Sequence, residues 1–118
     1  MTIQARPTTY NGVKMRSRLE ARWAELLDLA CVPWQYEPRA YASQRGQYLP
    51  DFVVTNGRVP WFIEVKGHVE IADLGGVLRR MEIIQASEPD ALLWLVIGDS
   101  DCPAIFVKAG SGPWTVRT

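Results

Sequence analysis

Residues 48–67, YLPDFVVTNGRVPWFIEVKG, read as two short strands joined by a turn, with three charged side chains where core residues are expected. Asp51 sits at the start of an apolar strand, Leu49 to Val54. Glu64 and Lys66 sit in a second one, Trp61 to Lys66. Strand side chains alternate faces with a period of two. Glu64 and Lys66 therefore share a face, and Val65 points the other way with Trp61 and Ile63. Two turns fit the connection. A two-residue loop at Asn56-Gly57, a strong hairpin signal, pairs Asp51 with Phe62 but sets Pro60, which has no N–H to donate, at a ladder position. A four-residue loop pairs Thr55 with Pro60 and sets Asp51 opposite Glu64. Either even-length loop leaves Asp51, Glu64 and Lys66 on one face; an odd one splits them.

Two carboxylates and an ammonium this close are costly to bury without compensation. A divalent metal between the carboxylates is one solution. Oxygen ligands of this kind suit Mg²⁺, which keeps several waters and takes further ligands from substrate phosphate. A lysine paired to a carboxylate on a solvated face is the other, and strand geometry alone leaves both open.

Upstream, Leu19, Trp23, Leu26, Leu27 and Ala30 fall at helical spacing and define a first helix from about Lys14 or Ser17 to Ala30. Ser17-Arg18-Leu19-Glu20 is a capping box, so local sequence reads Glu20 as a helix cap. Arg16, Arg18 and Arg22 crowd the same turns and form a local basic patch.

Pro50-Asp51, twelve intervening residues, then Glu64-Val65-Lys66 resembles the signature of the PD-(D/E)XK nuclease superfamily. The Gly67 that follows and the acidic residue on a preceding helix add to the resemblance, which covers roughly residues 15–100. It implies a restriction-endonuclease-like core and a metal-dependent DNA endonuclease that hydrolyses phosphodiester bonds. Asp51, Glu64 and the Val65 carbonyl would bind one or two Mg²⁺ ions (Mn²⁺ substituting). Glu20 would be a further metal or water ligand, against the cap reading. Lys66 would orient the nucleophile or neutralise charge on the phosphate. Small members of this kind include phage junction-cutting endonucleases and the end-cleaving subunit of heteromeric transposases. DNA contacts are expected from Arg16, Arg18, Arg45, His68 and Arg80, with Gln85 a further candidate. The alternatives are a non-catalytic DNA-binding or assembly module that kept the fold, and an interaction protein, for which only Trp114 lies outside core-like patterns.

The rest of the chain sets bounds. At 118 residues it is read as one domain, residues 1–12 forming an extended arm. The composition, 47% hydrophobic with five Trp, belongs to a folded globule. The formal net charge is zero, so a strong nonspecific grip on DNA is expected to need a homodimer or a partner protein. Cys31 and Cys102 lack metal-site spacing and read as buried or partly buried thiols of a reducing cytoplasm, that of a bacterial host if the chain is phage-encoded. No apolar run is long enough for a membrane span.

A strand at 34–37 and a loop or strand end at 39–47 precede the central hairpin. A second helix is expected from Asp73 as N-cap, with Leu74, Val77, Leu78, Met81 and Ile84 as its apolar stripe. Gly75-Gly76 in its first turn costs roughly 1 kcal/mol per glycine relative to alanine. An apolar strand at 91–98, parallel to the Glu64 strand after a helical crossover, and a last core strand at 104–108 complete the order, with the tail as edge strand or cover. The expected fold is α/β, a mixed central sheet of about five strands flanked by helices.

Overall fold

The computed structural model describes residues 6–99 and 101–117. In chain order the elements are β1 (Thr8–Tyr10), β2 (Val13–Met15), α1 (Arg18–Leu29), β3 (Gln35–Tyr36), β4 (Tyr41–Ser43), β5 (Gly46–Tyr48), β6 (Phe52–Val54), β7 (Trp61–Lys66), α2 (Ile71–Met81), a 3-10 turn (Glu82–Ala86), β8 (Leu92–Ile97), β9 (Ala104–Ala109) and β10 (Thr115–Arg117). Six strands form one mixed sheet in the order β10-β9-β8-β7-β6-β3. Two further hairpins, β1-β2 and β4-β5, stand apart from it. The sheet has one strand more than the expected five, because the tail adds β10 along β9.

The register settles the central turn. Phe52 faces Ile63, Val53 faces Phe62 and Val54 faces Trp61, which is the four-residue loop. The Pro60 carbonyl accepts from Leu92 N–H at 3.0 Å, so that peptide edge points to β8, away from β6. β7 and β8 run parallel through six paired residues, from Trp61–Leu92 to Lys66–Ile97, as α2 crosses between them.

Alternation along these strands builds two cores. Val53, Phe62, Leu93 and Leu95 pack under α2, the 3-10 turn and the β4-β5 hairpin, against Tyr41, Tyr48, Met81 and Ile84. Phe52, Ile63, Val65 and Val96 pack on the opposite face under α1, against Met15, Trp23, Ala24 and Leu27. Glu64 and Lys66 alternate with the second set and so belong to the α2 side, while Asp51 lies just before β6 at the sheet margin.

Several boundaries differ from the sequence reading. The arm expected at 1–12 is a hairpin over 8–15, turning at Asn11 (φ 51°) and Gly12 (φ 82°); residues 1–5 lie outside the described residues. The loop expected at 39–47 is the hairpin β4-β5, closed around Gln44-Arg45. α2 begins at Ile71 with Glu70 in the capping position, which places Asp73 inside the first turn, where a carboxylate favours the helix dipole. Both cysteines are exposed, not buried: Cys31 lies just past α1 in a left-handed conformation (φ 58°), and Cys102 lies before β9. Trp114 is packed against the α2-side core and donates to Glu82 Oε2 at 2.9 Å, so it is not a free partner surface. Among the described residues, no helix is long and apolar enough to cross a membrane.

Phe62 is fully buried and meets Tyr41 edge-on, ring centroids 5.3 Å apart. Phe62→Ala should cost about 3–5 kcal/mol in urea unfolding, with the exposed control Val116→Ala near neutral.

Candidate active site

β6 begins only at Phe52, so nothing in the ladder is left to pair with Val65 N–H. The Asp51 side chain takes that place, its Oδ2 accepting from Val65 N–H at 2.8 Å. In a strand a residue's N–H and C=O leave on the same side. The Val65 carbonyl therefore points toward the same strand margin.

Three other segments meet there. The junction between β2 and α1 supplies Arg16, whose Nη2 lies 3.0 Å from Asp51 Oδ1 and 2.6 Å from Glu37 Oε2. The first turn of α1 supplies Glu20. The chain leaving β3 supplies Glu37, turned by a left-handed backbone (φ 45°) and anchored by its N–H on the Asp51 carbonyl at 2.9 Å. Carboxylate oxygens of Glu20, Glu37 and Asp51 all lie within 4.8 Å of one another.

Glu20 caps α1 and also belongs to the acidic cluster. Its N–H donates to Ser17 Oγ at 3.1 Å, which caps the helix, and the Ser17 hydroxyl donates to its Oε1 at 3.0 Å, in place of the backbone N–H bond of a full capping box. Its Oε2 accepts from Tyr36 OH at 3.0 Å and takes part in the acidic cluster. Tyr36 OH also accepts from Arg16 N–H at 3.0 Å, tying that junction to β3.

Glu64 lies outside this trio. Its Oε1 accepts from Tyr48 OH, and its Oε2 faces Lys66 Nζ at 3.3 Å. It lines a cavity of about 190 Å³ together with Arg16, Tyr48, Leu49, Lys66, Val77, Arg80 and Met81. The cavity thus joins the lysine, the second carboxylate and the arginine that bonds the first.

Charge in this space is poorly solvated. Asp51 is 2% exposed, Glu20 4% and Glu64 6%. Burial first, then the negative charges of Glu64 and Glu20, push the Asp51 carboxyl up to about 8, against the opposing pull of Val65 N–H and Arg16. Burial raises Glu37 as well; Arg16 opposes this, and the charges of Glu20 and Glu64 add to it. Burial and the Glu64 charge hold the Tyr48 hydroxyl well above its usual value, so it remains a donor. Glu37 Oε2 is enclosed, and its close approach to Arg16 lacks hydrogen-bond geometry. The arrangement is a set of hard oxygen donors whose mutual repulsion one arginine only partly relieves, the environment that favours a small divalent cation.

The other expected contacts divide. Arg16 is bonded to the acidic cluster and reaches the cavity; Arg80 lines the cavity. Arg18 is exposed on the first turn of α1. Arg45 sits at the tip of the β4-β5 hairpin, 3.8 Å from Glu82. His68 is exposed and pairs with Glu70 at 2.9 Å, away from the cavity lining. Gln85 is taken up structurally, donating to the Gly110 carbonyl at 2.6 Å. Sequence reasoning missed Glu37, Tyr36 and Tyr48. The antiparallel register of β3 on β6, with Tyr36 opposite Phe52, is the signal that sets Glu37 beside Asp51.

Comparison with family models, with curated proteins and with solved structures gave no match.

The raised Asp51 value fixes the sign of a pH effect. Between 3.8 and about 8 the folded chain holds a proton that the unfolded chain has released. This contribution is fully present below 3.8 and is lost as pH rises through about 8. EDTA-treated protein should therefore lose urea stability with rising pH across that window, and Asp51→Asn should flatten the slope.

Proposed function

We propose that this chain is a divalent-metal-dependent endodeoxyribonuclease with a restriction-endonuclease-like core. Its substrate class is branched or junction DNA, or transposon ends. The observation that carries this reading is the placement of three carboxylates within 4.8 Å of one another, linked through Arg16 to the cavity that Glu64 and Lys66 line. The donor set fits Mg²⁺, with Mn²⁺ as substitute: all oxygen and largely desolvated, with Glu37 Oε2 enclosed and facing the Arg16 guanidinium at 2.6 Å.

Glu20, Glu37 and Asp51 would hold the cation, with the Val65 carbonyl and Glu64 as further oxygens on the same margin. Bound there, the metal would lower the pKa of a coordinated water and polarise the scissile phosphate. The remaining work falls to the chain. Lys66, half-exposed, presents an ammonium to charge developing on the phosphate. Tyr48 fixes the Glu64 carboxylate from below. Arg16 is 64% exposed and lines the cavity, so once released from Asp51 and Glu37 it is placed to contact phosphate. None of these groups reads bases, so site choice rests on DNA shape, and the zero net charge assigns part of the grip to a second copy or a partner protein.

A second reading has one observation in its favour. Arg16 already satisfies Asp51 and Glu37, which would suit a module that binds DNA and never takes up metal.

Two measurements test these readings. Incubation with linear, nicked and four-way-junction DNA should give cleavage with Mg²⁺ or Mn²⁺ and none with EDTA, and Asp51→Ala or Lys66→Ala should each lower the rate at least about 100-fold. Binding without cleavage selects the passive module. In calorimetric titration, Arg16→Ala should bind Mg²⁺ several-fold more tightly, since the guanidinium competes for the same oxygens. The same variant should lose about 1–2 kcal/mol of metal-free stability, less than a fully buried pair because Arg16 is largely exposed. Unchanged metal affinity would sink the competition.

A further inference from the structure

Beyond the carboxylates, α2 and the β4-β5 hairpin enclose a second cleft of about 420 Å³. Its walls carry Arg45 and Gln47 from the hairpin, and Gly76, Arg79, Arg80 and Ile83 from α2 and the turn after it. No acidic residue lines it. Arg79 and Arg80 form no ion pair among the described residues, and Arg45 has only the 3.8 Å approach of Glu82. Arg80 also lines the cavity beside Glu64 and Lys66, so the two spaces adjoin.

The glycines of α2 are the second observation. Helix propensity penalises both positions, and tertiary packing does not explain Gly76: a Cβ built there meets nothing within 4 Å. Its open surface belongs to the cleft. At Gly75 a Cβ would come within 3.2 Å of Arg79 Nη1, so this glycine leaves room for that guanidinium to lie against the helix. One glycine seats an arginine and the next leaves the cleft floor bare.

We infer that this cleft takes the sugar–phosphate backbone of the strand bound at the carboxylates, with Arg45, Arg79 and Arg80 on its phosphates and Gly76 allowing the strand to lie against α2. The inference rests on the nucleic-acid reading of the adjoining site and adds a path for the strand. Three planar guanidiniums in one cleft suit phosphodiester oxygens, and bare helix backbone suits close approach of a chain.

The test is fluorescence anisotropy of labelled single-stranded, duplex and four-way-junction DNA with the full chain in EDTA, over a salt series. Gly76→Ala should raise the thermal midpoint yet weaken DNA binding about tenfold, a combination that a purely structural glycine does not produce. Arg79→Gln should weaken binding and reduce the salt slope by about one. Arg58→Gln, which removes the same charge in the β6-β7 turn, should leave affinity unchanged. Affinities of Gly76→Ala and Arg79→Gln within twofold of the parent would overturn the inference, as would absence of DNA binding. So would displacement of DNA by inorganic phosphate at equal phosphate concentration, which would mark a simple anion site. Cleavage that persists with an unaffected cleft sinks only this inference; tight cleft-dependent binding without cleavage sinks only the nuclease.

Discussion

A carboxylate at 2% exposure cannot stand without partners, and the folding of four segments around Asp51 follows from that requirement. One oxygen fills the ladder position that β6 leaves vacant opposite Val65; the other faces Arg16. Its own carbonyl holds Glu37 in a left-handed turn. Arg16 in turn fixes the entry into α1, where Ser17 and Glu20 close the cap. Removing the Asp51 side chain would therefore disturb strand pairing, the β3 exit and the helix start together. The same desolvation that makes these partners necessary raises the carboxyl.

Much of this was legible from residues 48–67. Period-two alternation set Glu64 and Lys66 on one face of β7, and the proline argued for the longer turn that is observed. Helical spacing found α1 and α2, and a continuous apolar run marked β8 as the buried strand parallel to β7. These are strong signals because each rests on many buried side chains at once.

The misses have equally physical causes. Asn-Gly is a hairpin signal only where the backbone adopts positive φ. It does so at Asn11-Gly12, which closes the β1-β2 hairpin, whereas Asn56-Gly57 lies in the four-residue loop of the β6-β7 hairpin without positive φ. The β4-β5 hairpin is three residues per strand, too short for alternation to register. Glu37 and Arg16 reach the site through tertiary register and a side-chain reach across elements, neither of which leaves a local pattern. The local pattern finds the Ser17–Glu20 contact, but not the Tyr36 hydroxyl that meets the other Glu20 oxygen from a separate strand.

The rims of the main sheet are short. β3 contributes two residues on one side and β10 three on the other. Such stubs offer little unpaired backbone for another chain to extend. A companion subunit would therefore dock through side chains on a helix or sheet face, and continuous cross-molecule pleating is disfavoured. The architecture thus guards against fibrous stacking.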